Sequence, residues 1–126
     1  MALRLNPDNA EAHLDLGLAL GDNGDWDGAI AELREALRLN PNNENAHAHL
    51  GAALAVNGDL DGGIAEVREA LRLNPSFAMG HFDLVVGLEK KGDLRSALAE
   101  YRAAYRLDPK NATYKQNFER LLQQVK

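Results

Sequence analysis

The four prolines of this chain recur at a fixed interval of 34 residues, at Pro7, Pro41, Pro75 and Pro109. Aligned at that interval, residues 10–43 and 44–77 are identical at 22 of 34 positions, and residues 44–77 and 78–111 at 13. A period of this length is typical of repeat architectures, in which each unit buries its apolar face against its neighbours. The chain is therefore expected to fold as a stack of similar units.

Each unit is predicted to contain two helices joined by a short turn. Leucines alternate from Leu14 to Leu20, which would also fit a strand, but the many alanines favour a helix. Gly24 can adopt the left-handed conformation that ends a helix, and Asp25 can cap the next one. The second helix has an apolar stripe at helical spacing, formed by Ile30, Leu33, Ala36 and Leu37. It is expected to end before Pro41, because the residue before a proline disfavours helical geometry.

The unit resembles the tetratricopeptide repeat (TPR) family, whose 34-residue pattern places large and small residues at set positions. Counted from the start of each unit, position seven is always leucine, position twenty-seven always alanine and position thirty-two always proline. Position eight is glycine in the first two units, and position twenty is alanine or glycine in all three. The leucines and small residues concerned are Leu16, Leu50 and Leu84; Gly17 and Gly51; Ala29, Gly63 and Ala97; Ala36, Ala70 and Ala104.

The resemblance implies an all-α fold, a right-handed superhelical solenoid of antiparallel helix pairs. We expect one domain over residues 1–126. It comprises the end of a preceding repeat (1–9), three repeats (10–43, 44–77 and 78–111) and a capping helix (112–126) with an apolar stripe at Phe118, Leu121, Leu122 and Val125. Since no first helix precedes residues 1–9, the chain is expected to be a segment of a longer array or to have been cut at a repeat boundary.

The third unit departs from the pattern at position eight, where Val85 replaces glycine. Small residues there let two helices approach closely, so we expect slightly wider packing in this unit. Gly80 and Gly87 are expected to accommodate a bulky side chain from a neighbouring helix.

The composition excludes several classes of protein. The chain has no cysteine, which excludes disulfides, thiolate zinc sites and a cysteine nucleophile. No apolar run approaches the ~18 residues that span a bilayer. Residues 1–7 lack the apolar core of a signal peptide, so we expect a cytoplasmic location. The formal net charge of −5 disfavours nucleic acid, and we expect neither nucleic acid nor a membrane as partner.

Candidate chemistry is scarce. Residues 23–28 and 57–62 imitate half of a calcium-binding loop, but the twelfth position, which should be a bidentate glutamate, is Arg34 or Arg68. No carboxylate pair lies in an apolar setting suited to acid–base catalysis, and no glycine-rich phosphate loop is present. We therefore expect no cofactor and no enzymatic activity.

Histidines recur at the fourth position of each unit, at His13, His47 and His81. Two interpretations are open: half-buried packing residues, or a metal or pH-sensing site. Packing is favoured, because adjacent helix axes stand roughly 8–10 Å apart whereas metal ligands must converge within about 2 Å of one centre.

The TPR resemblance also implies a concave groove lined by the first helix of each unit and by the terminal helix. Carried over position by position, this predicts a peptide-binding groove formed by Leu14, Asp15, Leu18, Ala48, His49, Ala52, Val56, Met79, Phe82, Asp83, Val86, Lys90, Asn117 and Arg120. Its centre is apolar, and its cations, Lys90 and Arg120, lie at the far end.

TPR domains that hold chaperone tails do so with a clamp of lysines, asparagines and an arginine at these places. Here the clamp positions hold Leu14, Leu18, His49, Met79 and Asp83, which cannot bind a carboxylate. The expected partner is instead a protein or peptide, either an amphipathic helix or an extended apolar segment with basic character towards one end.

A second hypothesis comes from a different class of function, a structural unit that associates with itself. An uncapped amino-terminal end would leave Leu3, Leu5 and the helix face at 29–37 partly exposed, which favours a homo-oligomer.

Overall fold

The computed structural model describes residues 9–125, without the side chains of Ala78 and Met79. This part of the chain forms seven α-helices and no strand, which confirms the predicted all-α helical repeat. The helices are α1 (Ala10–Asp22), α2 (Trp26–Leu39), α3 (Glu44–Val56), α4 (Leu60–Leu73), α5 (Ala78–Lys91), α6 (Leu94–Leu107) and α7 (Ala112–Val125). The predicted remnant of a preceding repeat falls on residues 1–8, which lie outside the described residues, and on Asn9.

The turn within each unit is set by its glycine–aspartate pair. The glycines have positive φ angles, between 83° and 99°, which side chains disfavour. The aspartates Asp25, Asp59 and Asp93 each accept a hydrogen bond from the backbone N–H three residues later, at 2.9, 2.9 and 3.2 Å. They therefore cap α2, α4 and α6, which accounts for the residues that imitate a calcium loop.

The two helices of the second unit approach each other backbone to backbone. A Cβ atom built on Gly51 would lie 2.7 Å from the carbonyl oxygen of Gly63, and one built on Gly63 would lie 2.6 Å from the oxygen of Gly51. Both distances are far shorter than ordinary contacts, so only glycine fits at either position.

In the third unit, Val85 and the facing Ala97 are completely buried. A Cβ atom on Gly87 would lie 2.8 Å from Ile64 Cγ1, and one on Gly80 would lie 3.0 Å from Leu71 Cδ2. The two glycines therefore accommodate bulky side chains of α4, as predicted, while the wider spacing expected at Val85 stays a prediction.

Successive units share their apolar residues. One cluster joins α1, α2 and α3, and a second joins α4, α5, α6 and α7. The terminal helix α7 contributes Leu121, which is fully buried, together with Phe118 and Val125 from the predicted stripe. It also buries Tyr114, which the sequence analysis missed. The helix therefore covers the last unit, as a capping helix does.

The face proposed for self-association is largely covered. Ala29, Leu33 and Ala36 are at most 2% exposed, and the last two pack with residues of α1 and α3. Leu3 and Leu5 lie outside the described residues. Self-association stays a prediction, and the described part of the chain adds no support to it.

The buried alanines of the second helices provide a test of this packing. Ala70 is fully buried, whereas Ala65 on the same helix is exposed. Ala70→Glu should lower the free energy of unfolding by at least about 3 kcal/mol, because it buries an unpaired charge. Ala65→Glu should change it by less than about 0.5 kcal/mol. Urea unfolding followed by circular dichroism measures both, and equal effects would contradict the helix packing described here.

Candidate functional site

The first helices of successive units form one side of the molecule. Helix α1 contacts α3, and α3 contacts α5, in addition to the contacts within and between neighbouring pairs. Among the described residues, no comparable contact joins the second helices α2, α4 and α6 to one another. The first helices therefore lie on the inner side of the stack, where the predicted groove was placed.

The predicted groove residues differ in how much surface they offer. Five of them are exposed: Asp15, Ala52, Val56, Lys90 and Arg120. Six are half-buried: Leu18, His49, Phe82, Asp83, Val86 and Asn117. The side chain of Met79 lies outside the described residues.

Two predicted groove residues, Leu14 and Ala48, are buried. The prediction that they line the open groove is therefore wrong. Leu14 packs in the apolar cluster with Leu33 and Leu50, and Ala48 is only 3% exposed. The repeat pattern gives the direction of a side chain from its own helix, whereas these two are covered by neighbouring helices. Neither offers its side chain to a partner.

A pocket of about 140 Å³ opens between α3, α4 and α5. Its wall is mostly apolar and comes from all three helices, including Ala52, Ala55, Val56, Leu60, Ile64 and Val86. Two charged residues of α5, Asp83 and Lys90, also line it. Val56 at its edge is 56% exposed, and it is one of two large hydrophobic residues so exposed in the described part of the chain. Five predicted groove residues therefore meet around one cavity: Ala52, Val56, Asp83, Val86 and Lys90.

Asp83 is an acidic group in an unfavourable setting. Burial against the apolar wall raises its pKa from 3.8 to about 6, because a charged carboxylate is poorly solvated there. Its side chain makes no hydrogen bond or ion pair to any other residue within the part of the chain described. On the neighbouring helix, burial lowers the pKa of His49 below 6.5, so this histidine favours its neutral form.

The far end of the groove is less basic than its sequence indicates. The Arg120 guanidinium donates to Glu89 Oε1 at 2.9 Å, and the Tyr101 hydroxyl donates to Glu89 Oε2 at 3.2 Å. Burial, followed by the nearby Glu89 carboxylate, raises the pKa of Tyr101 to about 12. Arg120 therefore holds α7 against α5, which leaves Lys90 as the cation without such a partner among the described groove residues.

The repeated histidines make a contact that the sequence analysis missed. In each unit the histidine Nδ1 lies close to a glutamate Oε2 on the second helix: His13 to Glu32 at 2.5 Å, His47 to Glu66 at 2.7 Å and His81 to Glu100 at 2.6 Å. The spacing of 19 residues recurs in all three units and was available as a signal.

Two of these histidines also reach the preceding unit. Nε2 of His47 donates to the carbonyl of Pro41 at 2.9 Å, and Nε2 of His81 donates to that of Pro75 at 3.0 Å. A carbonyl can only accept, so Nε2 carries a hydrogen. The histidines therefore tie their own helix to the following helix and to the turn before it.

Neither a metal centre nor a membrane segment is found in residues 9–125. No group of three or more histidine, cysteine, aspartate or glutamate side chains there could hold a metal ion. In that same stretch no helix is both long and apolar enough to cross a membrane.

Comparison with known families agrees with this geometry. A model described as tetratricopeptide repeat matches the chain three times, over residues 2–44, 14–76 and 50–112. The chain belongs to the tetratricopeptide repeat family. No match is found among curated proteins.

Several solved TPR structures have the same fold as this chain. The first TPR of Spaghetti (RPAP3), bound to the HSP90 peptide SRMEEVD, has a TM-score of 0.89 at 16% identity, with 98% of each chain covered. The crystal structure of MamA has a TM-score of 0.89 at 22% identity, covering 95% of this chain and 70% of that one. The Arabidopsis OM64 TPR domain has a TM-score of 0.88 at 22% identity, covering 95% and 99%.

The histidine–glutamate contacts predict an unequal cost for two neighbouring substitutions. Glu66→Ala leaves His47 Nδ1 without its half-buried partner and should lower the free energy of unfolding by about 1–3 kcal/mol. Glu69→Ala on the same helix removes an ion pair with the exposed Arg72 and a weaker attraction to His47, and it should cost less than about 1 kcal/mol. Urea unfolding at pH 7 compares them; equal costs would show that the histidine contact does not stabilise the TPR unit.

Asp83 predicts a dependence of stability on pH. Its folded-state pKa of about 6 lies above its ordinary value of 3.8, so the folded state holds the proton more tightly. The contribution of Asp83 to the free energy of unfolding is fully present below about pH 4 and is lost as the pH rises through about 6. Asp83→Asn should therefore raise the free energy of unfolding at pH 7, by about 1–2 kcal/mol after allowance for its partial exposure.

The control for this prediction is Asp15→Asn, which changes the exposed residue at the same position of the first unit. It should alter the unfolding free energy by less than about 0.5 kcal/mol at any pH between 4 and 7. His49 is present in all three proteins, so its own titration cancels from the differences. An Asp83→Asn protein that is no more stable than the parent at pH 7 would contradict the unfavourable burial of this carboxylate.

Proposed function

We propose that this TPR chain is a protein-interaction module, without catalytic activity of its own, that binds a peptide or helix of a partner in the groove along α1, α3, α5 and α7. The observation that carries the proposal is the apolar pocket between α3, α4 and α5, with exposed Val56 at its edge. Apolar surface that stays exposed beside a concave pocket is a common feature of interaction sites.

The groove's surface chemistry indicates what kind of segment it binds. Ala52, Val56 and Val86 are small or medium apolar residues, suited to the apolar face of a helix or to alternate side chains of an extended segment. The first unit adds exposed acidic groups, among them Asp15 and Glu11. A partner segment with apolar side chains and basic character therefore complements the groove.

The TPR of Spaghetti (RPAP3) shows that this fold can hold a peptide, and three of the last four residues of that peptide are acidic. Sharing the fold at 16% identity does not imply sharing the ligand. The corresponding places here include Leu18, His49 and Asp83, and burial raises the pKa of that last carboxyl group. We therefore propose a partner other than an acidic chaperone tail.

A test of the groove needs substitutions that leave the core intact. Phe82 is unsuitable, because its ring packs against Tyr114 at 5.2 Å and Tyr101 at 6.1 Å between centroids. Val56 is better: it is 56% exposed and is the last residue of α3. Leu107 is the matched control, since it is 43% exposed and is the last residue of α6, away from the groove.

Val56→Lys should weaken binding of peptides selected from a random display library by about tenfold or more, because it places a charge where an apolar side chain docks. Leu107→Lys should leave their dissociation constants unchanged within about twofold. Fluorescence polarisation with the selected peptides measures both, and thermal melts verify that the variants fold. Unchanged binding to Val56→Lys, or equal loss in both variants, would place the binding surface elsewhere.

A further inference from the structure

At two positions that line the pocket between α3, α4 and α5, the second unit has a much smaller side chain than the first. Position seventeen is Trp26 in the first unit and Leu60 in the second, and position nine is Leu18 in the first and Ala52 in the second. The Trp26 ring packs over Gly21, where an added Cβ atom would lie 3.0 Å from Cζ3. In the second unit, the smaller Leu60 and Ala52 line the cavity of about 140 Å³. A water occupies about 30 Å³ of liquid, so the space suits a side chain of several non-hydrogen atoms.

The only acidic group among the residues that line this cavity is Asp83. The same position holds Asp15 in the first unit, where the side chain is exposed, and His49 in the second. Asp83 is half-buried and unpaired within residues 9–125. A carboxylate in this setting suits a long cationic side chain. The methylene groups of such a side chain displace water from the apolar pocket wall, and its charged end pairs with the carboxylate.

We propose that this pocket binds a lysine side chain of the partner, with its methylene chain against Ala52, Ile64 and Val86 and its ammonium group at the Asp83 carboxylate. This inference rests on the proposed function and specifies the residue that the partner presents. The ammonium group would also favour the ionised form of Asp83, which burial disfavours.

Lys90 lines the same pocket but does not take this place. It lies seven residues after Asp83 on α5, about 10 Å further along the helix axis, and its side chain is exposed. Because Lys90 is exposed, solvent screens its charge, and it repels an incoming cation only weakly. The incoming lysine is therefore expected to approach from the side of the pocket away from Lys90.

The inference is tested with two small probes, N-acetyl-lysine methylamide and N-acetyl-norleucine methylamide, which have the same four-carbon stem with and without the ammonium group. Titration of ¹⁵N-labelled protein at pH 7 should shift the backbone amides of Gly51, Gly63 and Gly87 in a saturable manner. The lysine probe should bind about fivefold or more tightly than the norleucine probe. Equal affinities, or no saturable shifts, would overturn the proposal. N-acetyl-arginine methylamide distinguishes the two basic side chains, and tighter binding of arginine would overturn the assignment to lysine.

Three variants separate the role of each part of the pocket. Asp83→Asn should remove the preference for the lysine probe over the norleucine probe. Ala52→Leu installs the residue that the first unit has at this position and should block both probes, by about tenfold or more. Lys90→Ala should raise the affinity for the lysine probe, by up to about twofold, because it removes a like charge from the pocket lining. An Asp83→Asn protein that keeps the preference would overturn the proposal, and so would a Lys90→Ala protein with weakened lysine binding.

Failure of this inference is distinguishable from failure of the proposed function. If the selected peptides bind the parent protein but not the Val56→Lys protein, the groove is a binding surface, whatever the result with the small probes. If those peptides then bind Asp83→Asn as tightly as the parent protein and contain no required lysine, the lysine pocket is wrong and the interaction module stands.

Discussion

The close approach of paired helices at glycine and alanine is the constraint on which the rest of this molecule depends. At Gly51 and Gly63 the two backbones come so near that any added side-chain atom would collide with a carbonyl oxygen. This distance fixes how far the apolar side chains on either side interlock, and the same register repeats every 34 residues. The equivalent pairs are Gly17 with Ala29 in the first unit and Val85 with Ala97 in the third. Each unit therefore packs its two helices at this place, and the second unit does so more closely than the first.

The candidate site arises where the repeats stop being identical. The helices of the second unit have the same lengths as those of the first, yet Leu60 stands in place of Trp26 and Ala52 in place of Leu18. Both of these smaller side chains line the cavity of the second unit. At position six, the side chain changes from Asp15 to His49 to Asp83 along the stack, which gives each unit a different electrostatic character. A periodic scaffold thus supports a surface that is not periodic.

Most of the fold could be predicted from the sequence, because its determinants are local and repeated. The aspartate caps and the glycines of the turns act within a few residues of themselves, and the buried alanines of the second helices recur every 34 residues. Leu14 and Ala48 could not be placed correctly, since their burial depends on side chains from the next helices. The pairing of Arg120 with Glu89 spans 31 residues and has no repeated counterpart to reveal it. The pocket at Asp83 needed three helices in place, and the histidine–glutamate contacts had a periodic signal that was not used.

The double contact of His47 has a consequence for how the array comes apart. Its ring holds Glu66 within the unit and the Pro41 carbonyl at the junction with the unit before, so opening α3 breaks both in one event. The stability of the unit itself and that of its interface with the preceding unit are then lost together. States in which one unit is open and its neighbour is closed are therefore disfavoured. His81 makes the same connection one unit later. Partly open arrays are disfavoured in this way, and we expect neighbouring units to unfold together.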